Sequence, residues 1–191
     1  MTREDLQQAI LDWLQPASSL PREKIIFLDQ RGDRPDKPYA AIKLVSGPKL
    51  VGHDDQRAPD PGMTDDFLIS GQRQFLCSVN IYTTLDPAQN YTGPGANQIM
   101  SDVRDSLEKI SVYTALNNAG LGMTNRPAVQ NLTALLEDQW EERAQMDVEF
   151  CIASNIGDSP GTITKVKVSG TVSGQVGNSG IVTVGPEVDK P

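Results

Sequence analysis

Histidine and cysteine are nearly absent from this sequence: one histidine, His53, and two cysteines, Cys77 and Cys151, among 191 residues. They cannot assemble a Cys/His zinc site at recognisable spacing or a multi-disulfide framework. Both cysteines sit in apolar, strand-like runs, so two reduced core thiols are expected rather than a disulfide or a catalytic thiol. Basic charge is also short, with Lys+Arg 17 against Asp+Glu 25, a formal net of -8 and a pI near 4.6. Such a surface repels phosphate backbones, which disfavours a sequence-reading DNA binder. No run approaches the roughly 20 apolar residues that span a bilayer. Met1-Thr2-Arg3-Glu4-Asp5-Leu6 lacks the basic-then-apolar order of a signal peptide, so the expectation is a chain kept in the cytoplasm, away from membranes. The length allows one domain, or one domain with an appendage.

The residues that are present read as an ordered series of elements. Leu6, Ala9, Ile10, Trp13 and Leu14 follow helical spacing behind a capping Thr2, with Pro16 expected to end the helix. Lys24–Leu28 and Pro38–Val45 read as strands, and Phe75, Cys77, Val79 and Ile81 form one face of a third. Between them, residues 52–66 carry five acids, two prolines and two glycines with almost nothing to bury, and read as a long exposed loop. Ala96, Ile99, Met100, Val103, Leu107 and Ile110 make one stripe of a second helix. A short helical piece over Val112–Leu116 ends at Asn117-Asn118-Ala119-Gly120, while Val129–Leu136 fits strand or helix. Glu142–Ser154 alternates as a long strand, with Ala144, Met146, Val148, Phe150 and Ile152 on its apolar face. The order predicts an α+β domain over 1–155, its helices packed on one face of a mostly antiparallel or mixed sheet. Residues 156–191 are expected to be an extended Gly/Val-rich arm. Over 160–191 there are 6 Gly, 7 Val and no aromatic residue, a composition that extends but cannot build a core alone. The arm either joins a sheet edge or stays a disordered tail.

Chemistry is hard to find. His53 lies among carboxylates, and Asp54, Asp55, Asp60, Asp65 and Asp66 lack the alternation and terminal glutamate of a calcium loop. No phosphate-binding loop, nucleophile elbow or zinc-protease helix occurs. The adjacent Glu141 and Glu142 would point to opposite faces of a strand, which argues against a shared hydrolytic site. Trp13 reads as core, and Trp140 as a strand-edge packing residue or interface anchor. Neither a catalytic residue nor a metal or cofactor is expected.

Several segments in order resemble the bacteriophage neck or tail terminator family, which joins tails to heads in long-tailed phages. They are the opening helix ending in Trp13-Leu14, Asp29-Gln30 followed by Arg34-Pro35-Asp36-Lys37-Pro38-Tyr39-Ala40, Gly71-Gln72-Arg73-Gln74-Phe75 leading to Val79-Asn80-Ile81-Tyr82, and Trp140 through Phe150. The resemblance spans residues 4–153. It implies a virion protein at the head-tail junction, assembled in the host cytoplasm, in a hexameric ring that caps the tail tube, stops its growth and meets a head-side connector. The tail sheath is a further implied partner.

Against that frame, the acidic stretch holding Asp54, Asp55, Asp60, Asp65 and Asp66 is expected to line the ring's lumen, so that DNA passes without binding. Val166, Val168, Val172 and Val176 of the arm are expected to form one face that docks on a neighbouring subunit or partner. Another neck, head-completion or tail tube protein is the nearest competing reading, and a small carboxylate-dependent hydrolase a more distant one.

Overall fold

The computed structural model describes residues 2–29, 32–57, 67–84, 91–125, 127–136 and 139–158. Helix α1 (Arg3–Ser18) starts at a reciprocal capping box: the Asp5 amide donates to Thr2 Oγ1 at 3.1 Å, and the Thr2 amide donates to the Asp5 carboxylate at 2.9 Å. Pro16 does not end the helix as expected. It sits in the last turn, where its missing amide costs a single hydrogen bond, and the chain leaves the helix at Ser19 with φ 55°.

Strands β1 (Ile25–Phe27) and β2 (Tyr39–Leu44) follow and pair in parallel. Next come β3 (Lys49–Arg57) and the eighteen-residue β4 (Phe67–Thr84). Helices α2 (Ala96–Ser106) and α3 (Ile110–Asn118) precede the short strands β5 (Gly122–Met123), β6 (Val129–Asn131) and β7 (Ala134–Leu136). The twenty-residue β8 (Gln139–Asp158) closes the described chain. The ambiguous stretch 129–136 is thus two short strands, both paired with β8.

Among the described residues one eight-stranded sheet runs β1-β2-β4-β8-β5, with β3 added to β4, and β6 and β7 added to β8. Every pairing beyond β1/β2 is antiparallel. The fold is α+β with a mixed, mostly antiparallel sheet. Its spine is the unbroken register of β4 on β8, from Phe67 opposite Asp158 to Thr84 opposite Glu141.

The period of two puts Phe75, Cys77, Val79 and Ile81 of β4 on one face with Ala144, Met146, Val148 and Phe150 of β8, and all eight are buried. Ile10, Trp13 and Leu14 from α1 and Ile99, Met100 and Val103 from α2 join the same core. Trp13 meets the Phe150 ring edge-on at 6.1 Å and donates from Nε1 to Ser106 Oγ at 2.9 Å, so its polar atom is satisfied inside the core. The α2 stripe stops short of Ile110. The chain turns after Ser106, and Ile110 opens α3 at 83% exposure instead of continuing the buried stripe.

Cys77 is buried and its thiol is pushed up to about 12, chiefly by burial. Cys151 is not a core thiol: its position in β8 is one step out of phase with Phe150, and it is half-buried on the opposite face, where it faces Gly122.

Candidate assembly surface

The apolar alternation in β4 and β8 outlasts the helices above it. From Phe75 to Thr84 most of β4 is buried, whereas no residue of Phe67–Gln74 is. That distal half of β4 pairs with β3 on one side and with Cys151–Asp158 of β8 on the other. The result is a three-stranded ribbon continuing the sheet. It leaves Leu50, Val51, Phe67, Leu68 and Ile156 exposed, between 38% and 53%. By register, Phe67 and Ile156 share the face of the core residues Phe75 and Phe150, and Leu68 lies on the other face. A cavity of about 350 Å³ opens where this face meets α1, lined in part by Leu6, Leu44, Phe75 and Ile152.

A charged clasp fixes the base of the ribbon. Register in β3 shifts between Val51 and Asp55, with Gly52 at φ 76°, so this bulge sets Asp54 out of step with the ladder. The Asp54 carboxylate lies over Gly71 and accepts two hydrogen bonds from the Arg73 guanidinium, at 2.7 and 2.8 Å. A Cβ at Gly71 would fall on the Asp54 carboxylate, so only glycine lets the pair close across the strand. The hydrogen bonds from Arg73 hold the Asp54 carboxyl below the usual carboxylate range and raise the guanidinium correspondingly.

The position of Asp54 and Asp55 differs from the expected loop. Residues 52–57 belong to β3, which forms through its ladder with β4 and not through burial; a reading based on apolar spacing passes over a strand that buries so little. Asp54 is ion-paired and Asp55 also has a partner. Asp60, Asp65 and Asp66, and Val166, Val168, Val172 and Val176, lie outside the described residues. Strand β8 also continues three residues past Asn155, with Ile156–Asp158 in the ladder with β4.

Glu141 and Glu142 do point to opposite faces, and each is engaged. Glu141 pairs with Lys37 Nζ at 2.6 Å. Glu142 turns to the helix side, accepts from Thr83 Oγ1 at 2.6 Å and lies 3.4 Å from the Ala96 amide at the start of α2, where helix polarity favours a carboxylate. On the face opposite the helices, Tyr39 and Tyr82 stack at 4.7 Å, Arg143 sits 5.4 Å from the Tyr82 ring, and its guanidinium donates to Asn80 Oδ1 at 2.8 and 3.2 Å. Among the described residues no cluster of three or more His, Cys, Asp or Glu could hold a metal, and no helix is long and apolar enough to cross a membrane.

Sequence reading missed Gly71, Arg73 and the ribbon hydrophobics as a group. A signal was available in the glycine interrupting a strongly alternating strand, since such a glycine often marks a bulge or a close approach. Trp140 is exposed at 56% and lies opposite the equally exposed Leu135, a placement that suits an interface anchor better than edge packing.

The family model described as "Phage neck terminator protein" matches residues 4–176. The chain belongs to the phage neck terminator family. The match runs past the 4–153 segment that carried the resemblance and includes the first part of the valine arm. No curated protein matches. Among solved structures, this neck terminator is similar to the sheath/tube terminator of an extracellular contractile injection system, PVC, in its extended state. The identity is 17% and the TM-score 0.38, over 93% of this chain and 66% of that one, so the chain spans less than two thirds of its length.

Proposed function

We propose that this neck terminator acts as a structural virion protein: copies form a ring, expected to be hexameric, that caps the phage tail tube, ends tube growth and joins the tail to the head-side connector. The family match over residues 4–176 carries this reading. Its physical support is the distal ribbon, whose exposed hydrophobics lie where helices no longer cover the sheet. Monomeric proteins seldom leave such surface to water without a partner. The tail tube protein, the connector and the tail sheath are the proposed partners.

The defining test is growth arrest. Purified chain, sized by light scattering and imaged as particles, should give one closed ring that does not extend. Added to polymerising tail tube protein, it should shorten the tubes in proportion to its concentration. Open-ended filaments of the chain alone would point to a tube protein, and a monomer with no effect on tube length would sink the reading.

The acidic residues between β3 and β4 have a proposed place in that ring. The two strands end at Arg57 and begin again at Phe67, and Asp60, Asp65 and Asp66 belong to the sequence that links them. We place them at the lumen, where their charge keeps DNA from adhering during passage. Asp54 contributes less to this field because Arg73 balances its charge. Changing Asp60, Asp65 and Asp66 together to asparagine should slow DNA ejection several-fold at low ionic strength and much less at high salt, where the Debye length shrinks to about 3 Å at 1 M. Ejection at an unchanged rate in low salt would remove this role. The valine face of the arm, Val166, Val168, Val172 and Val176, is the proposed contact to a neighbouring copy or to the tail.

A further inference from the structure

The ribbon has an open edge. Strand β5 reaches β8 only at Phe150 and Cys151, so among the described residues Ile152–Asp158 pair on one side alone, with β4. Alternate residues of those seven direct amide and carbonyl groups away from β4, and an unpaired row of this kind is a template for another strand. Ile156, in the middle of it, is half exposed.

The chain that leaves this edge is suited to fill such a row. After Ser159-Pro160-Gly161 comes Thr162-Ile163-Thr164-Lys165-Val166-Lys167-Val168, seven residues without glycine or proline, five of them β-branched. Seven residues match the seven of the open edge. The family match continues to Val176, so it includes this segment, although the segment has no core of its own to join.

Two edges could receive it, its own or that of another copy, and the turn chemistry separates them. Pro160-Gly161 carries the signature of a type II turn, with proline at the second position and glycine at the third. The twist of a type II turn splays flanking strands, which disfavours a tight two-residue hairpin back onto the strand just left and favours an edge elsewhere. Fully extended, the eighteen residues 159–176 would span at most about 60 Å.

We propose that Thr162–Val168 of one copy adds as a strand to the Ile152–Asp158 edge of a second copy. The inference rests on the ring reading and gives it a joint. The donor segment and the acceptor edge are different parts of the chain, so the contact is head-to-tail and repeats from copy to copy until rotation closes it. Val166 and Val168 then extend the apolar strip of Ile152 and Ile156, while Lys165 and Lys167 fall on the opposite face.

The test is a disulfide trap in the full chain carrying Cys151→Ser; the fully buried Cys77 is left in place. One tagged chain carries Ser154→Cys, on the same face of the edge as Ile152 and Ile156. It is coexpressed with a differently tagged chain carrying Thr162→Cys, Thr164→Cys, Val166→Cys or Val168→Cys in turn, which scans the register. Mild oxidation of the purified assembly should shift the 20.7 kDa band to a product of twice that mass bearing both tags, lost on reduction. Intact rings that give no mixed product at any of the four positions would overturn the proposal and leave the ring standing. So would a link forming only within one chain when both cysteines are placed on it, the result expected of a self-folded hairpin. A wild-type chain that is monomeric by light scattering would overturn the ring reading, and this joint with it.

Discussion

Phe150→Ala is expected to lower the free energy of unfolding by about 3 to 5 kcal/mol, the usual cost of emptying a buried aromatic site. Phe150 is fully buried where the molecule's layers meet, against the Trp13 edge at 6.1 Å and the Phe75 ring at 5.8 Å. Trp13 belongs to α1 and Phe75 to β4, so the cavity would open between helix and sheet. Thermal and denaturant unfolding should both record the loss, with a melting temperature lower by about 10 °C or more for a domain of this size. Phe150→Leu should recover much of the stability, because it restores most of the volume. A loss below about 1 kcal/mol for the alanine variant would mean that this junction is not the centre of the core.

Gly71→Val is expected to have the second largest effect, with a different signature. The new side chain would occupy the space of the Asp54 carboxylate, which would have to swing aside with the Arg73 guanidinium and lose its two hydrogen bonds. Loss of a partly exposed charge-assisted pair of this kind costs on the order of 1 kcal/mol. The larger consequence is expected in assembly, because the pair lies on the ribbon proposed to meet partners: the variant should stay folded by far-UV circular dichroism yet form rings poorly. Acid titration supplies a second readout. The Asp54 carboxyl titrates below its ordinary range in the folded chain, so its contribution to stability is present above the unfolded carboxylate range and disappears as pH falls through the lowered value. Gly71→Val and Asp54→Asn should both lose that component, so each is less stable than the wild type near neutral pH and the difference narrows as pH falls through the lowered value. A Gly71→Val chain that assembled normally and kept the full acid dependence would show that the pair has no part in assembly.

Legibility in the sequence followed burial. The face of β8 from Ala144 to Phe150, the core face of β4 and the α2 stripe through Val103 were readable because each buried element leaves its geometric period in the order of apolar residues. Strand β3 was not, because it is held by a backbone ladder that any residue can make, and its Gly52, His53, Asp54 and Asp55 read locally as a loop. Pro16 and Ile110 misled for a related reason. Local rules place helix ends at prolines and continue stripes through apolar residues, but here a last-turn proline was tolerated and a turn after Ser106 broke the stripe.

By itself the sequence determined the α+β class, the opposed orientations of Glu141 and Glu142 and the lack of chemistry-bearing motifs, since these follow from local periodicity and residue type. It also supported the family through the order of several short segments. Only the tertiary structure decided that Asp54 belongs to an ion pair over Gly71 instead of a solvated loop, and that β4 and β8 run beyond their helices as a ribbon with an open edge. Both depend on which strands meet and at what register. That information lies in pairings between residues far apart in the chain, such as Phe67 with Asp158, and no local window of the sequence contains both partners.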